Sequence, residues 1–134
     1  MDILLRTNQV DPLLALRGIQ RFADGSGYRV VLEVRSRDYH VRTPFYFESG
    51  PLAQFVDQLV AMDHSLKGSA KLKPLYEGHF IELALTHTGR VVVSGEVFEY
   101  SEHAQHLKFE FETDQTVLRP FIEDLKQCLN VAAA

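Results

Sequence analysis

The chain has 134 residues, 46% of them hydrophobic and 24% charged, enough to bury one core without a disulfide or a metal to hold it. Its net charge of −4 lies in the second half: residues 1–67 hold 8 Lys and Arg against 8 Asp and Glu, and residues 68–134 hold 6 against 10. An acidic half disfavours nucleic acid as a direct ligand and favours a basic protein.

At the start, Asp2 stands where a signal peptide would be basic, and Arg6 and Asp11 break the apolar run well short of the roughly 20 residues a membrane helix needs. No membrane segment is expected. The one cysteine, Cys128, has no intrachain partner, which fits a reducing cytoplasm. Residues 14–22 read as a first strand. After the turn DGSG, Tyr28, Val30, Leu32 and Val34 alternate with Arg29, Glu33 and Arg35, the pattern of a half-buried strand. A turn at Arg37 and Asp38 leads to HVRTPFYFE, where Val41, Phe45 and Phe47 share a face and Pro44 marks an edge or a bulge. The period then lengthens. Gly50 and Pro51 open a helix whose apolar stripe is Leu52, Phe55, Val56, Leu59 and Met62.

The plan recurs after Gly68. SAKLKPL and HFIELALTH read as strands, the second with Ile81, Leu83 and Leu85 on one face, and Gly89 supplies the positive φ of a tight turn into RVVVSGEVF. HLKFEFE places Leu107, Phe109 and Phe111 inward and Lys108, Glu110 and Glu112 outward. Asp114 is a helix cap, and the last helix buries Leu118, Phe121, Ile122, Leu125, Cys128 and Leu129, so the cysteine is core material. Pro120 conflicts with a helix that starts early and requires a start as late as Thr116.

The stretch F-x-F-E followed by L-x-x-F-x-x-x-L occurs twice, at 45–59 and at 109–125. Any core-facing helix wants apolar residues at that spacing, but the F-x-F-E at the same place before it favours a repeat. The expectation is a single α+β domain, 1–134, with an antiparallel sheet of about six to eight strands and two helices on one face, built from meander-plus-helix repeats at 13–63 and 69–130. Phe55, Leu59, Phe121 and Leu125 should meet Leu32, Phe45, Leu83, Val93 and Phe109 in one core.

Chemistry is sparse. His103 and His106 are an i, i+3 pair between strands, where positions three apart point to opposite faces. His79 and His87 stand at the two ends of one strand and read as residues of a wet fringe. DGSG leads into a strand, so it is no phosphate cradle, and no G-x-S-x-G elbow occurs. Neither catalysis, a metal nor a cofactor is expected. The candidate partner-binding residues are therefore the acidic ones, Glu96, Glu99, Glu102, Glu110, Glu112 and Asp114, with the arginine-bearing strands around Arg29, Arg35 and Arg42 as the second choice.

G-S-A-x-L after the first helix, G-R-V-V-V-S-G in the central hairpin, and F-E-F-E-T-D-Q-T-V-L before the last helix together resemble the WapI-type immunity proteins over nearly the whole chain. The resemblance implies a cytoplasmic, non-catalytic inhibitor of a polymorphic toxin domain, of a class that is often a nuclease and so basic. It transfers no binding residues, and Thr113 to Leu118 read as the builders of a helix cap. Two other functions fit the residues: a small-ligand or regulatory domain with a pocket lined by inward aromatics, and a structural homodimer through an exposed sheet face carrying Val31, Tyr46 and Phe98.

Overall fold

A computed structural model describes residues 1–7, 11–75, 78–99 and 102–133, with side chains through 129. Among the described residues, eight strands fall into two antiparallel sheets of four, each in sequence order. The first sheet holds β1 (Ile3–Leu5), β2 (Leu13–Arg21), β3 (Gly27–Ser36) and β4 (Tyr39–Glu48), and is followed by helix α1 (Ser49–Ser65). The second holds β5 (Ser69–Leu72), β6 (Phe80–Leu85), β7 (Arg90–Glu99) and β8 (Gln105–Asp114), and is followed by a 3-10 turn (Gln115–Val117) and helix α2 (Leu118–Ala133). The chain is thus α+β, made of two meander-plus-helix units. Strands β4 and β8 pass through the same order of exposed and buried positions, residue for residue.

Alternation builds the inner faces. Tyr28, Val30, Leu32 and Val34 of β3 oppose Phe47, Phe45, Thr43 and Val41 of β4, and Val91, Val93, Gly95 and Val97 of β7 oppose Thr113, Phe111, Phe109 and Leu107 of β8. Both inner faces and both helix stripes join one core cluster, in which Phe55 and Phe121 meet edge to face at 6.3 Å. Each helix packs against the first strand of the other unit, α1 against β5 and α2 against β1, and the two helices touch each other. Exposed ion pairs tie the parts together, Asp63 to Arg119 at 3.5 Å and Arg6 to Asp124 at 3.6 Å.

The conflict at Pro120 resolves locally. Asp114 Oδ1 accepts from the Thr116 amide at 2.9 Å, the 3-10 turn follows, and α2 begins only at Leu118. Pro120 therefore lies in the first turn, where a missing N–H removes no helical bond. Pro44 is on β4, an outer strand of its sheet. Gly89 has φ 82° in the β6–β7 turn. Among the described residues no helix is long and apolar enough to cross a membrane.

Candidate functional site

Residues that alternate outward from the second sheet form a charged face, and the strand register sets their neighbours. Across β6, β7 and β8 run the rows Phe80–Glu96–Lys108, Glu82–Ser94–Glu110 and Ala84–Val92–Glu112. Arg90 stands opposite Asp114 at one end and Phe98 opposite His106 at the other. Glu96, Glu110, Glu112 and Asp114 are thus brought to one face, with Glu82 added from β6. Its place between Ile81 and Leu83 was the signal for that, since alternation turns it outward.

These carboxylates are unequally available. Arg90 Nε binds Glu112 Oε1 at 2.9 Å, and its Nη1 lies 3.6 Å from Asp114 Oδ2. The amide and hydroxyl of Thr116, with Arg90 beside them, hold Asp114 below the usual carboxylate range. That carboxylate is therefore occupied as a cap. Glu96 lies 3.6 Å from His106 Nε2 and opposite Lys108. Glu110 is exposed, stands opposite Ser94 and makes no ion pair among the described residues. Glu99 and Glu102 are exposed at the β7–β8 connection, beyond the face rather than on it; Tyr100 and Ser101, between them, lie outside the described residues.

The outer face of the first sheet has the opposite character. Arg17, Arg29, Arg35 and Arg42 project from β2, β3 and β4 around Glu33. Glu33 accepts from Arg17 Nε at 2.6 Å and pairs with His40 Nε2 at 2.8 Å, with Arg42 at 3.9 Å. Those side chains leave it only 7% exposed, and the hydrogen bond from Arg17, then that with His40, lowers its pKa to about 2. The ionised form is held because its partners are charged or hydrogen-bonded to it. On the same face Tyr46 stacks on Phe22 at 6.5 Å. Val31 is on this face too, whereas Phe98 belongs to the other sheet; the three apolar islands form no single patch.

His79 corrects the wet-fringe expectation. It is buried, at 6% exposure, and its Nδ1 accepts from the Phe98 amide at 3.0 Å. Its ring lies 6.0 Å from both Phe45 and Phe98, so it bridges the two sheets. His87, in the turn after β6, is exposed as expected. Among the described residues no three His, Cys, Asp or Glu side chains are grouped to hold a metal ion. Two clefts open beside the outer strands. One of about 730 Å³ runs along Leu107–Glu112 of β8 and faces Arg37 and Tyr39. The other, about 460 Å³, lies between the first half of β4 and the ends of β7 and β8. Of the inward aromatics, Phe45, Phe47, Phe55 and Phe121 are fully packed and line neither cleft, whereas Phe109 and Phe111 line the larger one.

The architecture defines a small α+β domain with two oppositely charged sheet faces. The chain belongs to the Immunity protein WapI-like family, whose model matches residues 8–132. That family suggests an immunity function against a toxin. The fold is also that of a chain in "Crystal structures of trypanosoma bruciei MRP1/MRP2", which superposes with a TM-score of 0.58 at 10% identity over 100% of this chain and 85% of that one. At that identity the likeness is of fold. Among curated proteins, none matches significantly.

Proposed function

We propose that this chain is a non-catalytic immunity protein that binds a basic toxin domain in the cytoplasm and neutralises it, docking it on the outer face of β6–β8. The family match over residues 8–132 carries the reading. The charge pattern supports the choice of face. Glu110 makes no ion pair among the described residues, Glu96 and Glu82 flank it on adjoining strands, and Glu112 is shared with one exposed arginine that a basic partner can displace. A nuclease fits the partner role because its substrate groove is basic, and an acidic protein face competes for that groove while speeding capture.

Co-expression tests the reading. Cells producing a cognate toxin domain are expected to form colonies when the chain is supplied and to fail without it, and the two proteins should co-purify. Survival unchanged by the chain, with a folded chain confirmed in the same cells, would remove the immunity function.

A further inference from the structure

The two sheets have four outer strands, and they are not equally protected. β1 lies against α2, and β5 lies against α1, where Gln58 Oε1 accepts from the Lys71 amide at 3.0 Å. β4 and β8 lie against neither helix in this way. β4 carries Pro44 at its middle, which has no N–H to offer an added strand. β8 has no proline along its ten residues. Every second residue of such a strand turns its N–H and C=O away from the paired neighbour, and among the described residues no backbone bond links β8 to a strand other than β7. The cleft of about 730 Å³ along Leu107–Glu112, whose far wall is Asp11, Pro12, Ser36, Arg37 and Tyr39 of the first unit, leaves room beside it.

We propose that β8 pairs antiparallel with β8 of a second copy of this chain, forming a two-fold dimer with one continuous eight-stranded sheet. The outward residues of β8 are self-complementary. Centred on Phe109, the pairing sets Lys108 opposite Glu110 of the second copy and His106 opposite Glu112 of the second copy, all on the outer face. On the inner side it sets Leu107 opposite Phe111. Centring on Lys108 or Glu110 instead places like charges opposite each other at the axis, which is destabilising in a strand pair. Slipping by a single residue sets inward side chains against outward ones. The Glu110 register also sets Lys108 and His106 opposite carboxylates, Glu112 and Asp114, but only the Phe109 register does so without like charges at the axis, and the symmetry doubles each pair. The contact is short, so the dimer is weak and salt-sensitive.

Sedimentation equilibrium of the full chain over a concentration series at low salt tests this without any toxin, so its result is independent of the proposed function. The parent is expected to show a monomer–dimer equilibrium. Lys108→Glu and Glu110→Lys should each weaken it on the order of tenfold, because each turns two attractive contacts per dimer into repulsive ones. The double variant, which exchanges the charges, should restore it. Both residues are exposed, and circular dichroism checks that each variant folds. A parent that stays monomeric at its highest concentration, a dimer indifferent to the single reversals, or a double variant as weak as the singles would overturn the pairing.

Discussion

Replacing Phe121 by Ala is expected to cost about 3–5 kcal/mol of folding stability, with a fall in melting temperature on the order of 10 °C. Phe121 is 1% exposed and meets Phe55 at the contact between the helices, where Leu59 and Leu125 complete the seam. Truncation there removes the transfer free energy of a large ring and leaves a cavity that helices tied at Asp63 and Arg119 close only in part. Urea unfolding monitored by circular dichroism measures the change. A loss below roughly 1 kcal/mol would mean that the helix seam is not the centre of the core.

Gly95→Ala should cost about 2–3 kcal/mol, far more than a helix propensity or a surface change would explain. Gly95 sits on β7 opposite Phe109, whose ring lies across the glycine. A Cβ there would fall 2.7 Å from Phe109 Cζ and closer still to the Phe80 carbonyl oxygen of β6. The ring can turn, but the backbone oxygen in the strand ladder cannot, so β6 and β7 must separate. Gly50→Ala is the control: nothing lies within 4 Å of its added Cβ at the start of α1. Equal stability of the two variants in the same denaturant titration would show that the β6–β7 approach is looser than described.

Much of this fold was legible because its signals are local. The stripe Leu52, Phe55, Val56, Leu59 and Met62 is the buried set of α1, and the Asp114 cap with its delayed helix start accounts for Pro120. Other features depend on partners far along the chain. A three-residue strand, Ile3–Leu5, is too short for alternation to announce. The division of eight strands into two sheets depends on where the ladders end at α1, which no periodicity encodes. Glu33 occupies an outward position and reads as solvated, yet Arg17, 16 residues away, and His40 fold over it. His79 reads as a strand-end residue, and only the approach of β4 and β7 buries it. For the candidate face, alternation put Glu96, Glu110 and Glu112 outward together. It did not show that Arg90 would engage Glu112 and Asp114, because that contact needs the β7–β8 register.

The claim that this acidic face docks a basic toxin domain is tested most directly by the association rate, measured by stopped flow across a salt series. The parent is compared with a variant in which Glu96, Glu102, Glu110 and Glu112 are all Gln. None of the four side chains is buried, so the variant is expected to fold. Exposed charges add little affinity one by one, but together they steer encounter. The variant should associate about an order of magnitude more slowly at low salt and show a flatter dependence on salt. Equal rates for parent and variant at every salt concentration would contradict the account and move the docking surface to the arginine-bearing face around Arg29, Arg35 and Arg42.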